Sequence, residues 1–281
     1  MNRLAGHDLV VRDNAPLRRQ QGHSDSEIAR GGMSMRVAVV ENTVVSHLGQ
    51  VGVALSEAGA KVEIFQPWNG RALPALDDHD ALVVLGGEQS AIDDHTHPYL
   101  PALAALMRGF GDAGKSVLGI CLGSQILARG YGGDNILGQT VEFGWHDIRT
   151  TPAGQDDPVL SAAGEDFPIF EWHSDTFTLP EGAVHLASSG KVSNQAFRIG
   201  RAAYGTQFHF EASTTVVDDW RQKLPQVMET LHPGWLEQHP ELAVARGVPA
   251  DAAGLALARA WVATIKVAEA AETRKELLAG E

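Results

Sequence analysis

The stretch KSVLGICLGSQILARG, residues 115–130, joins a short apolar run to a segment with helical character. The apolar run at 117–120 has the length and composition of a strand that is buried on both faces. Gly119, Cys121 and Gly123 give the junction the G-x-nucleophile-x-G form of a sharp strand-to-helix turn. Such a turn lifts the Cys121 side chain above the carboxyl edge of a parallel sheet, where open α/β folds bind ligands.

The sequence before this turn repeats the same alternation of strand and helix. Short apolar runs lie at 37–40, 62–65 and 81–85, and the segments 48–58 and 100–110 carry apolar residues at helical spacing. Alternating strands and helices are typical of a parallel sheet with right-handed crossovers. We therefore predict an α/β fold, a flavodoxin-like, doubly wound, mostly parallel sheet with helices on both faces.

After residue 131 the helical spacing fades and short β-type runs follow, which we expect to extend the sheet or to pair as hairpins. These runs lie at 141–143, 169–172, 184–187, 195–199 and 203–208. Helical spacing returns after residue 213, where one apolar stripe comprises Leu257, Trp261, Ile265 and Ala268. A stripe of this kind indicates a helix packed on the main domain rather than a partner-binding helix.

Residues 1–34 are polar and show no sustained periodicity, which is typical of a disordered extension. The sequence therefore predicts three parts. They are the disordered extension at 1–34, the α/β domain at 35–212, and a helical C-terminal extension at 213–281 packed on that domain.

Composition and charge exclude several classes of function. The 281 residues include 22 Lys and Arg against 35 Asp and Glu, and the net charge of −13 opposes binding to nucleic acid. A single cysteine excludes an intramolecular disulfide framework and any Cys-based metal site. No apolar run approaches the roughly 18 residues of a membrane helix, and 1–34 lacks the apolar stretch of a signal peptide. We expect a cytoplasmic protein without a membrane partner.

Cys121 is a candidate nucleophile, because the start of a helix stabilises a thiolate. Without its two glycines it would more simply be a buried core cysteine. A thiol nucleophile needs a base, and the base needs an orienting group. In the run QFHFE, the two-residue period of a strand would place His209 and Glu211 on one face, where the carboxylate can hold the imidazole. A histidine that stood alone here would be structural, but His209 has an acid, Glu211, to orient it and a candidate nucleophile, Cys121, to deprotonate.

Backbone N–H groups are also needed to stabilise the negative charge that develops on a substrate oxygen. Leu122, the residue after the nucleophile, supplies one. The glycine turn LGGEQS at 85–90 follows the third strand, which should neighbour the strand before Cys121. That turn could supply the second.

Four motifs together resemble the class I (Cys-His-Glu) glutamine amidotransferases. GGEQSAIDD, GKSVLGICLGSQ, WHSD and QFHFE occur in the family's order and approximate spacing, and the resemblance covers residues 36–212. The chain is most similar to stand-alone proteins of the type of the amidotransferase domain of GMP synthetase.

This resemblance implies hydrolysis of a γ-glutamyl amide through a γ-glutamyl thioester on Cys121, without a cofactor or a metal. His209 would act as base and then acid, and Glu211 would orient it. Gly87 and Leu122 would be the oxyanion donors. Gln125 and the backbone of Ser174 and Asp175 would bind the α-amino and α-carboxylate groups of the substrate.

Three features depart from the family pattern. The usual H-P-E motif reads H-F-E, with Phe210 in place of proline. Glu88 stands where the GMP synthetase motif has proline, which places a carboxylate beside the oxyanion turn. The synthetase portion is absent, and no P-loop or pyrophosphatase-like glycine motif follows the matched region.

Other interpretations also fit parts of the sequence. A G-x-C-x-G turn resembles the dienelactone hydrolases of the α/β-hydrolase fold, in which Asp175 would precede His209 as the acid. The run DDHTHP at 93–98 could hold a metal but is more typical of a polar loop before a helix. His79, among aspartates, indicates a solvated turn. A catalytically silent, ligand-binding module is a further hypothesis, against which the intact Cys-His-Glu set argues.

Two versions of the enzymatic function remain open on the sequence alone. In one, glutamine is cleaved and ammonia passes to a separately encoded synthetase. In the other, a γ-glutamyl peptide or conjugate is hydrolysed directly, as a free-standing reaction. Both use the same three residues.

Overall fold

The computed structural model describes residues 34–267, which form eleven strands and eight α-helices. The strands are β1 (Arg36–Val40), β2 (Lys61–Phe65), β3 (Ala81–Val84), β4 (Ser116–Ile120), β5 (Asn135–Ile136), β6 (Glu142–Thr150), β7 (Asp166–His173), β8 (Thr176–Phe177), β9 (Val184–Ser189), β10 (Ala196–Ile199) and β11 (Ala203–Thr206). The helices are α1 (Gly49–Glu57), α2 (Leu100–Asp112), α3 (Leu122–Gly130), α4 (Pro152–Gln155), α5 (Thr214–Lys223), α6 (Pro225–Leu231), α7 (Trp235–Leu242) and α8 (Val248–Val262). Apart from Ser34, the predicted disordered extension lies outside the described residues.

Nine strands form one sheet in the order β2-β1-β3-β4-β11-β10-β9-β6-β7. The first five of these run parallel to one another, and the remaining four continue the sheet in antiparallel pairs. The parallel part has the doubly wound order that the alternating pattern predicts, and the fold class is confirmed. As expected, β3 lies beside β4, so the loops after both strands meet at one edge.

Alternate residues of the parallel strands face two separate apolar layers. Val37 and Val39 pack with α1 and α8 on one face, and Ala38 and Val40 pack with α2 and α3 on the other. All of β3 and β4 is therefore buried, as both faces of these strands are covered.

The helices after residue 213 also contact the sheet. Leu257, Trp261 and Ile265 of the predicted stripe are buried in the same layer as β1, while Ala268 lies outside the described residues. The indole N–H of Trp261 donates to the carbonyl oxygen of Val117 at 3.2 Å. The stripe is thus covered within the chain. The domain boundary at residue 212 stays a prediction.

Two expectations from the sequence were wrong. The run at 203–208 is a strand only as far as Thr206, because the chain turns at Gln207. His79 is buried rather than solvated, since its ring packs against Phe65 and its Nε2 lies 3.3 Å from a carboxylate oxygen of Glu63. Within the described residues, no helix combines the length and the apolar content needed to cross a bilayer.

Candidate active site

Cys121 lies at the tip of the turn between β4 and α3, in a backbone conformation that L-residues rarely adopt. Its φ is 52° and its ψ is −111°, and no other non-glycine residue in the described part of the chain has a positive φ. Conformations of this kind cost about 1–3 kcal/mol and are concentrated at functional sites. The backbone N–H of Cys121 donates to the carbonyl of Thr206 at 2.8 Å, which holds the turn against β11.

The two glycines of the motif are required by close backbone contacts. A Cβ on Gly119 would lie 2.3 Å from the carbonyl oxygen of Gly123. A Cβ on Gly123 would lie 2.0 Å from the carbonyl oxygen of Val84 on the neighbouring strand. Both positions exclude any side chain. Gly119 allows the turn to close on itself, and Gly123 allows it to pass close to β3.

His209 and Glu211 meet in the turn after β11. The Nδ1 atom of His209 lies 2.6 Å from Oε1 of Glu211, and both side chains are buried. The pair was expected from a strand period, but this reason was wrong: His209 lies beyond the strand and forms only an isolated bridge to Phe170. A turn, in which the N–H of Ala212 donates to the carbonyl of His209 at 3.3 Å, brings the two side chains together.

The His209 ring is held by Glu211 on one side and lies beside Cys121 on the other, and the Cys121 sulfur donates to the backbone carbonyl of Trp172 at 3.6 Å. Burial by itself would lower the pKa of His209. The interactions of His209 with Glu211 and Cys121 outweigh burial and raise this pKa well above its ordinary value. The arrangement therefore stabilises a proton on the imidazole, as a base needs after it accepts the thiol proton.

The turn that carries Glu211 is fixed by two glycines from other elements. Gly49, with φ 44°, begins α1 directly against it, and the N–H of Gln50 donates to the Glu211 carbonyl at 2.9 Å. On α8, a Cβ at Gly254 would lie 2.4 Å from the carbonyl oxygen of Phe210. Two helices thus hold the turn from opposite ends of the sequence.

The predicted oxyanion donors lie next to each other at the mouth of the turn. Leu122 is the first residue of α3, where a backbone N–H has no acceptor within the helix. A Cβ on Gly87 would lie 2.8 Å from Cδ2 of Leu122. At Gly86 a Cβ would lie 3.2 Å from Cε1 of His209 and 3.5 Å from Cβ of Cys121, so the glycine turn borders the reacting groups.

Gln125, Ser174 and Asp175, predicted to bind the glutamyl end, line the same pocket as Cys121. The amide nitrogen of Gln125 already donates to the backbone carbonyl of Asp175 at 3.1 Å and to Oε1 of Gln207 at 3.2 Å. The amide N–H groups of Gln125 are thus used within the protein, and its side-chain carbonyl oxygen is the atom that can accept a hydrogen bond from an α-ammonium group. Ser174 is exposed at the rim.

A cavity of about 370 Å³ extends from Cys121 outward. Its inner part is lined by the glycine turn, Cys121 and His209. Its outer part is apolar and includes residues of α5 and α6. These outer residues are Val45, Val141, Trp172, Trp220, Leu224, Val227 and Leu231.

Comparison with known proteins agrees with this geometry. The model of the family "Glutamine amidotransferase class-I" matches residues 42–220, which is more than half of the chain. The chain belongs to this family.

Two kinds of relative stand out among the similar sequences. The glutamine amidotransferase-like protein YfeJ of Salmonella typhimurium is 30% identical over 188 residues, covering 66% of this chain and 79% of that protein. A glutamine-hydrolyzing GMP synthase subunit of Methanoregula boonei is 38% identical over 117 residues, which cover 41% of this chain and 62% of that protein. The match thus spans less than two thirds of the GMP synthase relative.

A solved structure of a glutamine amido transferase from Methylobacillus flagellatus is 26% identical and has a TM-score of 0.74. The match covers 85% of this chain and 98% of that one. A glutamine amidotransferase of Thermotoga maritima has the same fold, with a TM-score of 0.72 at 24% identity. These structures match a longer part of the chain than the family model does.

Two of the departures from the amidotransferase pattern, Phe210 and Glu88, can be located in the structure. Phe210, in place of proline, is buried and packs edge-on against Phe208, so it anchors the turn between His209 and Glu211 in the core. Glu88 is exposed at the rim of the pocket, away from the apolar layers.

Sequence reasoning missed a buried cluster beside this amidotransferase site. Nε2 of His173 lies 3.1 Å from Glu142 and 3.4 Å from Glu171, and all three side chains are at most 1% exposed. Nδ1 of His173 lies 3.1 Å from the backbone carbonyl oxygen of Asp175. Glu142 and His173 are direct partners on β6 and β7, a long-range pairing that no local pattern reveals.

The charges of this cluster are coupled. Burial by itself would lower the pKa of His173, but the hydrogen bond to Glu142 and the neighbouring Glu171 carboxylate outweigh burial and raise the pKa to about 10. Burial raises the pKa of Glu171, whereas hydrogen bonds from His173 and Ser189 outweigh burial and lower that of Glu142. Among the described residues, these three side chains have atoms of the kind that bind metals, and those atoms all lie within 4.8 Å of one another. The hydrogen-bonded ion pair within the cluster is that of His173 with Glu142, whereas neither carboxylate oxygen of Glu171 has a hydrogen-bond partner.

The rival assignments do not fit the geometry. The Asp175 carboxylate accepts a hydrogen bond from the N–H of Gly138 at 2.8 Å, whereas Nδ1 of His209 is held by Glu211, so the α/β-hydrolase assignment is wrong. In the DDHTHP run, both carboxylate oxygens of Asp94 accept hydrogen bonds from Arg129 at 2.7 Å. Asp94 therefore belongs to an ion pair.

Proposed function

We propose that this chain is a free-standing cysteine hydrolase that cleaves γ-glutamyl amides through a γ-glutamyl thioester on Cys121. The observation that carries the proposal is the buried Cys121–His209–Glu211 set at the inner end of a cavity. The set places a nucleophile beside a base, and the base is hydrogen-bonded to an orienting carboxylate.

The first half of the reaction forms the thioester. His209 takes the thiol proton of Cys121, and the sulfur attacks the δ-carbon of the γ-glutamyl amide. The negative oxygen that results accepts hydrogen bonds from the backbone amides of Gly87 and Leu122. His209 then gives its proton to the leaving nitrogen, the C–N bond breaks, and the amine or ammonia departs.

The second half releases the acid. A water molecule loses a proton to His209 and attacks the thioester carbon. The C–S bond breaks, glutamate leaves, and the proton returns to the sulfur of Cys121. Glu211 keeps the imidazole in one orientation through both halves and stabilises its charged form.

The outer wall of the cavity supports the free-standing version. Residues of α5 and α6 cover the entrance side of the site, and Trp220 lies edge-on to His209 with ring centroids 5.5 Å apart. An amidotransferase that serves a partner completes its site when the partner binds, whereas here residues of the same chain already line the outer part of the site.

The second candidate is an ammonia donor for a separate synthetase. It is favoured by the GMP synthase subunits among the relatives, whose name states glutamine hydrolysis. In that case glutamine would be the substrate, and turnover would be slow without the partner.

Glutamate release by the purified protein tests the proposal. Free glutamine and a panel of γ-glutamyl amides serve as substrates, with Cys121→Ala as the control. We expect at least one amide to be cleaved at about 1 per second or faster.

Two other results would count against it. Slow cleavage of every substrate, restored by an extract that contains an amination partner, would establish the ammonia donor instead. Failure of a γ-glutamyl electrophile to label Cys121 stoichiometrically would establish a silent binding module.

A further inference from the structure

We infer that the outer part of the cavity binds the leaving group and selects γ-glutamyl amides whose N-substituent is uncharged and carries an aromatic ring. This inference rests on the proposed function and names its substrate class. It concerns the outer wall, a set defined by Trp172, Trp220, Leu224, Val227 and Leu231.

The outer wall lies where the leaving group must be. His209 gives its proton to the leaving nitrogen, so the group attached to that nitrogen lies next to the imidazole. The ring of Trp220 is edge-on to His209, and Trp172 is in turn edge-on to Trp220, with centroids 5.5 Å apart in both pairs. Aromatic rings thus border the imidazole that protonates the leaving nitrogen.

The position of Trp220 is fixed by the protein itself. Its indole N–H donates to the backbone carbonyl of Val45 at 2.8 Å, and its side chain is largely buried. A ring held in this way presents an apolar face without a free hydrogen-bond donor. It favours an aromatic or aliphatic ligand over a polar one.

Part of the outer wall is left exposed to solvent. Val227 of the outer wall is 45% exposed, and Val141, which also lines the cavity, is 47% exposed. Covering such side chains with an apolar ligand is favourable. The cavity of about 370 Å³ lies in the range, about 300–1,000 Å³, of pockets that hold drug-sized ligands, and glutamine alone would leave the outer wall uncovered.

The charges around the cavity oppose an acidic leaving group. The described residues that line it include no lysine or arginine, whereas Glu88 and Asp175 are both acidic. Its histidines are already paired with carboxylates of the protein: His47 with Asp219, His173 with Glu142 and His209 with Glu211. The nearby Lys223 is paired with Asp219 at 2.7 Å. The carboxylate of a γ-glutamyl amino acid would therefore have no unpaired cationic partner, and an uncharged N-substituent fits better than an amino acid.

The test compares two amides whose leaving amines have similar basicity, γ-glutamyl-phenethylamide and γ-glutamyl-ethylamide. One added methylene in a hydrophobic pocket changes kcat/KM by about 10-fold or more, so we expect the phenethylamide to be preferred by at least about 10-fold. A γ-glutamyl amino acid, γ-glutamyl-phenylalanine, should be cleaved less well than the phenethylamide, because it adds a carboxylate to the same ring.

Val227→Ser should reduce the preference for the phenethylamide. Val248→Ser is the matched control, since Val248 is 59% exposed near the start of α8 and does not line the cavity. It should leave the preference unchanged. Equal kcat/KM for the two amides, or an unaltered preference in Val227→Ser, would overturn the inference while leaving the hydrolase intact. No cleavage of any amide, together with an unlabelled Cys121, would overturn the proposed function itself.

Discussion

Replacing Gly254 by alanine should damage catalysis more than it damages the fold. Gly254 lies on α8, far in sequence from Cys121, yet an added Cβ would lie 2.4 Å from the carbonyl oxygen of Phe210. An ordinary contact begins at 3.4 Å, so α8 and the turn between His209 and Glu211 must separate by about 1 Å. The atom in the way is backbone and cannot rotate aside.

The expected magnitudes follow from two opposing effects on stability. Alanine is better than glycine inside a helix by about 1 kcal/mol, whereas overpacking costs about 1–3 kcal/mol. The free energy of unfolding should therefore fall by about 0–2 kcal/mol, which leaves the protein folded. A displacement of about 1 Å in a catalytic group lowers the rate by about 100-fold, so kcat should drop by about 10-fold to 100-fold.

The assay pairs urea unfolding with glutamate release from the best γ-glutamyl amide. Gly109→Ala is the control, because Gly109 lies inside α2 and its Cβ would meet only the flexible end of Leu76, at 3.2 Å. That variant should be at least as stable as the wild type and fully active. Full activity in Gly254→Ala would show that the contact between α8 and the turn does not position His209 and Glu211.

Further predictions concern the catalytic set, the buried cluster and the N-terminal segment. Cys121→Ala should lower kcat by about 10⁴-fold or more with an unchanged circular dichroism spectrum, and adding His209→Ala should cost nothing further, because the residues act as a unit; substantial residual turnover in Cys121→Ala would refute the assignment. Glu211→Gln should reduce kcat less than loss of the thiol does, since an orienting group is partly replaceable, and the two kcat values measured side by side decide this. The pKa of His173 is raised from 6.5 to about 10, so its contribution to stability is complete below about pH 6.5 and is lost as the pH rises towards 10. Urea titrations should show unfolding free energy falling by about 2–4 kcal/mol between pH 7 and 10, and an equally steep fall in His173→Gln would contradict this role. Deleting residues 1–33 should change neither Tm nor kcat, and a marked drop in either would show that the segment packs on the rest of the chain.

The parallel half of the sheet and the turn at Cys121 could be predicted because their signals are local. The apolar run at 117–120 and the glycines beside Cys121 are adjacent in sequence, and the structure gives both glycines a steric reason. The meeting of His209 and Glu211 was also predicted, although the structure produces it with a turn where a strand was expected.

The antiparallel half was harder to predict because its buried positions are not all apolar. β6 extends over Glu142–Thr150, whereas only 141–143 stood out as a strand. Glu142 is buried there because Gln195 and Ser189 each donate a hydrogen bond to it at 2.7 Å. Such partners come from distant parts of the sequence, and no local periodicity reveals them. The burial of His79 was missed for the same reason.

Cys121 is the only cysteine in the 281 residues, and this has a consequence for the response to oxidants. A sulfenic acid formed on its sulfur has no second thiol in the chain with which to form a disulfide. Protection from further, irreversible oxidation then depends on a small thiol that enters the cavity and forms a mixed disulfide. The cavity that admits the substrate therefore also controls whether an oxidised molecule recovers.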